Sequence, residues 1–409
     1  MQPGDPQQEP NAAPSLATIV REWGRIGCIG FGGPPAHIAL LRELCVSRRR
    51  WLTDAEFERA IAATNILPGP SSTQLAIYCA WRLRGNRGAL LGGLCFIVPG
   101  LVAILALAAL FLSGSPPVWV LGAGMGAGAA VAAVAARAGI DVATPIWRRA
   151  SGRRRARVLA YGLAGGVAVS IAGAGLVLVL LACGLIELLD RRLAGYNAGA
   201  QPWLAGAASR LAHGVRRPLP SLALLAAVVE PGGTLALAWT ALKVGALAFG
   251  GGFVIVPLMQ TDAVSVNHWM THGQFLNAVA LGQVTPGPLV QTVAVVGYAA
   301  GGLPGGLLAA VVAFAPSFSF ILLGAARFER LLANQRVLAF LAGAAPAAAG
   351  AIIGATVPLA AALGESWQYA VLAVAAVSLL VARRGVVPTL VLAGCAGVAA
   401  SLLGAPVPR

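Results

Sequence analysis

The residues of this chain best placed to do chemistry are neutral, and they sit beside two Pro-Gly-Pro triplets. Pro68-Gly69-Pro70 is followed at once by Ser71, Ser72, Thr73 and Gln74, and Pro286-Gly287-Pro288 by Gln291 and Thr292, all in otherwise apolar sequence. Asn65 and Gln283 stand three residues before the triplets. Proline removes a backbone donor and glycine frees the backbone, so each triplet is expected to end one helix and start another. The first turn of the new helix presents unpaired N–H groups and the positive end of the helix dipole, which together favour an anion. The competing reading is that each triplet merely kinks one helix and that the hydroxyls bond back to it.

Two cations and a second pair of breaks join this set. Arg25 and Lys243 each lie six residues before a Phe-Gly-Gly triplet, Phe31-Gly32-Gly33 and Phe249-Gly250-Gly251. A cation at membrane depth costs about 2.5–3.5 kcal/mol on insertion scales, so it usually faces a cavity or a partner. As a pair, these two would offer two positive charges to one dianion. The alternative is that both snorkel to the interface or pair with Glu22. His37, His268 and His272 lack acidic or ligand neighbours and read as loop or interface residues. Glu22, Glu187 and Glu230 are the carboxylates near apolar runs, which speaks against a carboxylate proton relay or a cation site. The six cysteines are scattered, with no CxxC or Cys/His cluster, so neither a disulfide framework nor a metal site is indicated. No cofactor and no enzymatic activity are expected.

The elements that must position these residues lie in a membrane. The chain is 58% hydrophobic and 11% charged, with a mean hydropathy of +0.80, against about 25% charged residues in soluble proteins. The runs Gly88 to Leu112, Val118 to Ala136 and Ala339 to Leu363 exceed the roughly 18 apolar residues of a membrane-spanning helix. They are rich in Leu, Ala and Val and lack strand alternation, so helices are expected rather than a barrel. Ser15 to Leu41 and Ala60 to Trp81 are apolar too, but each is interrupted, which predicts broken or re-entrant helices. Irregular backbone at membrane depth survives where it is buried in protein or lines a wet cavity. The net charge of +15 comes from arginine clusters between apolar segments, as the positive-inside rule produces, and not from a nucleic-acid surface.

The chain also repeats itself. Phe31-Gly32-Gly33 recurs 218 residues later, and in the same register Gly27 matches Gly245, Trp51 matches Trp269, Thr53 matches Thr271, Phe57 matches Phe275 and the two Pro-Gly-Pro triplets coincide. This predicts a disordered tail over 1–14, a first repeat over 15–205, a cytoplasmic linker over 206–218 and a second repeat over 219–409. Charges at equivalent connections are reversed. Eight arginines lie between Phe31 and Gly88 and none between Phe249 and Gly306, whereas neutral Ser113 to Pro117 matches a stretch with Arg327, Arg330 and Arg336. Basic Arg137 to Arg157 matches Gly364 to Gln368, which holds only Glu365. The neutral turn near Ser170 to Gly175 matches one with Arg383 and Arg384. The expected fold is therefore an all-α polytopic membrane protein of two homologous repeats with inverted topology, an architecture common in secondary transporters.

The matched residues resemble the chromate ion transporter family in its two-domain form. The resemblance is carried by Phe31-Gly32-Gly33-Pro34 with His37, Arg49-Arg50-Trp51-Leu52, Leu67-Pro68-Gly69-Pro70 with Ser72 and Gln74, Lys243-Val244-Gly245, Phe249-Gly250-Gly251-Gly252 and Gln283-Val284-Thr285-Pro286-Gly287-Pro288. It implies an inner-membrane carrier that exports chromate and confers chromate resistance, with sulfate as the chemical analogue and both triplets in signature segments. Two departures stand out. Trp269-Met270-Thr271-His272-Gly273-Gln274 lacks the acidic run common after this tryptophan, and Asn267-His268 replaces the basic residues before it. The expected partners are chromate or a similar oxyanion and the lipid bilayer, with no nucleic acid, and a homo-oligomer is compatible with the sequence. A carrier of sulfate or another small oxyanion, an anion channel and an amino-acid exporter are the competing readings. The last would need a carboxylate for the substrate amine, and only Glu22 lies close to a break.

Overall fold

A chain this apolar, with its backbone groups shielded from water, must satisfy them within helices, and every described element is helical. The computed structural model describes residues 13–67, 69–112, 116–171, 176–197, 232–248, 253–325 and 334–406. Pro68, Phe249, Gly250, Gly251, Glu230, Arg327, Arg330, the linker over 206–218 and nearly all of the tail lie outside the described residues.

Helix α1 (Leu16–Ile29) is capped by the Ser15 hydroxyl and ends at Gly30. Helix α2 (Pro34–Arg42) runs into a π-helical turn, Glu43–Arg48. Helix α3 (Asp54–Ile66) begins at a capping box made by Thr53 and Glu56. Beyond the first triplet comes α4 (Ser71–Phe111), whose two arms meet at Arg84 and Gly85. The long α5 (Val118–Arg149), α6 (Arg153–Ile171) and α7 (Leu176–Asn197) complete the first half.

The second half repeats this order. Helix α8 (Thr234–Leu247) is followed by α9 (Ile255–Gln260) with its π turn Thr261–Val266. Helix α10 (His272–Val284) has its own capping box, Thr271 with Gln274. A short 3-10 turn (Leu289–Gln291) leads into α11 (Thr292–Gly324), kinked at Gly301 and Gly302. Then come α12 (Gln335–Gly354), α13 (Thr356–Ala361), α14 (Ser366–Ala376) and α15 (Val386–Leu402). The starts and ends of α1 and α8, of the π turns and of α3 and α10 fall at equivalent positions. So do the left-handed residues Arg50 (φ 51°) and His268 (φ 53°).

Small residues set the packing of these helices. A methyl group on Gly27 would strike the Cys95 and Phe96 backbone, and one on Gly245 would strike the Ala313 backbone, so α1 lies against the second arm of α4 as α8 lies against α11. The second arms of α4 and α11 pack on each other, with Gly93 against the Phe318 ring and Gly306 against Leu105. Numbering rises along one helix as it falls along the other, so these equivalent helices run antiparallel. The last two helices of each half pack on the other half. Gly162 of α6 meets Gly350 of α12 and Gly184 of α7 meets Phe340, while Gly397 of α15 meets Gly122 and Gly126 of α5. Gln368 of α14 donates to the Met125 carbonyl at 3.2 Å and Arg137 donates to that of Leu379 at 2.8 Å.

Among the described residues, Ser71–Phe111, Val118–Arg149, Leu289–Gly324 and Gln335–Ala361 are long and apolar enough to cross a bilayer. Their outward faces are apolar as well, for example Leu90, Leu94, Val98 and Val102 along α4. An aqueous surface rarely carries such contiguous apolar area. The protein is a multi-pass, all-helical membrane protein.

Candidate functional site

Both triplets do what their chemistry dictates. Helix α3 stops at Ile66 and α4 starts at Ser71, and α10 stops at Val284 with the 3-10 turn starting at Leu289. Gly69 has φ 122° and Gly287 has φ 101°, a backbone open to glycine and strained for other residues. Each loop is held by the opposite half. The Gly69 Cα faces the Gly245 carbonyl and the Ser317 hydroxyl, and the Gly287 N–H donates to the Gly30 carbonyl at 2.9 Å. A methyl group on Gly100 would overlap the Pro286 carbonyl and the Gln291 amide, so glycine there lets the second loop settle on α4. At 1.5 Å rise per residue, the loop end of the first arm of α4 lies about 20 Å from the Arg84–Gly85 kink.

One side chain ties the two loops together. His37 is fully buried with its ring edge-on to Phe96. Its Nε2 lies 2.9 Å from the Gly30 carbonyl and its Nδ1 lies 3.2 Å from the Ser72 hydroxyl. A carbonyl only accepts, so Nε2 carries the proton, and neutral Nδ1 then accepts from Ser72. Gly30 thus receives His37 from one side and Gly287 of the second loop from the other. By sequence the position reads as loop or interface, because a histidine without acidic neighbours carries no signal of its own. The structure places it at the junction of three breaks.

Around this junction the buried surface is polar. Ser71, Ser72, Thr73 and Gln74 are buried in the first turn of α4, as are Gln283, Gln291 and Thr292 on the other side. Gln291 donates to the Ile97 carbonyl at 2.9 Å. The Thr73 and Ser317 hydroxyls and the Gln283 amide nitrogen have no protein hydrogen-bond partner. An unsatisfied buried polar atom costs about 1–3 kcal/mol and calls for a specific explanation. Thr73 is among the residues singled out in the sequence, and Ser317 is an addition to them. Position 317 was invisible there because its equivalent is Gly100.

Other candidates lie elsewhere. Phe31, Gly32 and Asn65 are exposed, and Gly33 is half-buried. Arg25 is exposed on α1. Lys243 sits 2.5 Å from the carboxylate of Asp262, which also accepts from Thr240 at 3.0 Å. Asp262 was absent from the membrane acids read from sequence, yet it is buried. Glu22 is buried too, and it binds Arg48 and Arg49 at 2.6 Å each, not Arg25. The structure therefore does not bring Arg25 and Lys243 together as two free charges. Among the described residues no cluster of metal-ligating side chains occurs.

A cavity of about 880 Å³ opens where α5, α10 and α14 begin. Pro117, Thr271, Gln274, Asn277, Gly364 and Gln368 contribute to its wall, and among the described residues no charged side chain does. The cavity joins three connections, one from the first half and two from the second.

The family model described as Chromate transporter matches residues 17–188 and again residues 235–400. A chromate transport protein of Cupriavidus metallidurans is 31% identical over 391 residues, covering 93% of this chain and 92% of that protein. One from Pseudomonas aeruginosa is 32% identical over 354 residues, covering 85% and 81%. A probable chromate transport protein of Synechococcus elongatus is 29% identical over 347 residues, covering 84% of each. No solved structure matches the chain.

Proposed function

The chain belongs to the chromate transporter family, and on that premise we propose that it exports chromate across the inner membrane and thereby confers chromate resistance. The observation that carries this reading is the meeting of two broken helices, each with buried polar groups at its new N-terminus, through His37 and Gly30. Helix N-termini attract anions through free N–H groups and the dipole. The hydroxyls of Ser71, Ser72, Thr73 and Ser317 and the amides of Gln74, Gln283 and Gln291 add neutral donors. Pro70, Pro286 and Pro288 keep the loops out of helix, and Gly69 and Gly287 give them their turn. A neutral site of this kind binds an oxyanion without holding it as tightly as a fixed ion pair would.

The two halves are proposed to be inverted repeats, over 15–205 and 219–409. Three observations support this: the reversed loop charges, the antiparallel packing of the equivalent helices α4 and α11, and the shared cavity at Pro117, Thr271 and Gly364. The arginine-flanked kink of α4 belongs at the cytoplasmic surface. Its loop then comes near the midplane of a bilayer about 40 Å thick, and the uncharged cavity becomes the outer vestibule. Export needs no coupling ion, because moving a dianion outward across an inside-negative potential of 100 mV releases about 4.6 kcal/mol.

Purified protein in proteoliposomes tests the proposal. Saturable chromate flux that sulfate inhibits competitively is expected, and uptake into everted vesicles should be driven by an inside-positive potential. Flux that rises linearly with chromate without saturation would replace the carrier by a channel, and flux of neither anion would overturn the assignment.

A further inference from the structure

Where α5 ends and α6 begins, the surface carries a groove lined by none of the residues around the two triplets. It has a volume of about 640 Å³ and runs between α5, α6 and α12. Its floor is made where α6 and α12 touch through glycine: a methyl group on Gly350 would strike the Gly162 backbone, and one on Gly165 would strike that of Ala347. Such contacts leave no side chains to fill the space above them. The walls are apolar, with Ile140 and Trp147 on one side and the exposed Leu159, Leu163 and Val167 on the other. In a membrane protein, an outward-facing slot of this composition lies against lipid tails.

The mouth of the groove is strongly basic. Arg148, at its end, is followed by Arg149 and then by Arg153, Arg154 and Arg155 across a short turn. The Arg155 guanidinium stacks 5.6 Å from the Trp147 ring and donates to the Ala150 carbonyl. Among the described residues, Arg148, Arg149, Arg153 and Arg154 have no carboxylate partner, whereas nearby Arg157 is taken up by Glu187 and Asp190. Uncompensated arginines around the end of an acyl-sized slot match a molecule with an anionic head and an apolar tail. The turn after α13 in the other half carries Glu365 and no arginine, so the basic mouth is not repeated there.

We propose that this groove is a specific site for an anionic phospholipid, with one acyl chain between Trp147 and Leu163 and the phosphate against Arg148 and Arg153. The chain in the groove contributes affinity in proportion to its buried methylenes, and the arginines select the head group. Bound there, the lipid bridges α5 and α6 of the first half to α12 of the second.

The test uses full-length, delipidated protein in detergent, titrated with phosphatidylglycerol or phosphatidylcholine, with the thermal midpoint as readout. Phosphatidylglycerol is expected to raise the midpoint further and to half-saturate at lower concentration. Each arginine at an anionic head is worth about fivefold in binding, so the double variant Arg148→Gln/Arg153→Gln should shift half-saturation about 30-fold. Arg383→Gln/Arg384→Gln, which removes two arginines elsewhere, should leave it unchanged. Ala143→Phe fills the slot and should abolish the response to both lipids. Equal responses of the unaltered protein to the two lipids, or equal losses in the two arginine double variants, would overturn the proposal.

Discussion

Replacing His37 tests whether the two loops work as one site. In the alanine variant the hydrogen bonds to Gly30 and Ser72 disappear, a loss of about 1 kcal/mol each. The ring also leaves a fully buried space beside Phe96, and truncations of comparable side chains cost about 2–5 kcal/mol. The expected destabilisation is therefore about 4 kcal/mol, enough to lower the melting temperature clearly. Glutamine is the informative comparison, because its amide can still donate to the Gly30 carbonyl and fills part of the space. It should cost less than half as much. For transport, the lost anchor of Ser72 weakens the site by about one hydrogen bond, or roughly fivefold in half-saturation for chromate. The assay is flux in proteoliposomes normalised to folded protein, alongside thermal melts of the same preparations. An alanine variant that melts lower but transports with an unchanged rate and half-saturation concentration would show that His37 only packs the core.

Three further sets of substitutions probe the loops, the topology and the Lys243–Asp262 pair. Gly69→Leu and Gly287→Leu force a side chain into φ values that cost about 1–3 kcal/mol and drive it against Gln74 or Gln291; transport should vanish while the protein stays in the membrane, and full activity in both would reduce the triplets to kinks. With exposed Cys28 and Cys395 replaced by serine, Ser47→Cys should react with a membrane-impermeant thiol reagent only from the cytoplasm and Ser265→Cys only from outside; labelling of both from one side would remove the inverted repeat. Lys243→Gln leaves buried Asp262 unpaired, at about 3–5 kcal/mol, and a second change, Asp262→Asn, should restore most of the lost stability. A stable single variant whose half-saturation for chromate rises instead would mean that Lys243 serves the substrate.

The breaks were legible in the sequence because proline and glycine act through the backbone, whatever surrounds them. Ile29, Ile66 and Val284 end their helices within a few residues of Gly-Gly or Pro-Gly-Pro for that reason. The long spans were legible from hydropathy alone. Partners were not. Lys243 pairs with Asp262, which lies buried in a π-helical turn, Thr261–Val266, and no periodicity announces such a turn. His37 was overlooked because its partners are a carbonyl from a break and a hydroxyl from the far side of another, 35 residues away. Ser317 escaped notice because the register slips by one residue after the second triplet, which aligns it with a glycine.

The two charged clamps show why equivalent residues need not share a role. Both halves clamp their first helix to the π turn with a buried acid and a base, but with the charges exchanged. In the first half the acid is Glu22 on α1 and the bases are Arg48, which ends the turn, and Arg49 just after it. In the second the base is Lys243 on α8 and the acid is Asp262 on the turn. Thr240 occupies the position of Glu22 and donates to Asp262, while Val266 and Asn267 occupy those of the arginines. If the halves are inverted, the second turn faces the outside, where arginines oppose correct insertion. A clamp that must be kept, at a turn that cannot be basic, has to take its cation from the helix. Lys243 then answers to topology, and Arg25, its counterpart in a half whose turn already supplies two arginines, is left exposed without a clamp to serve.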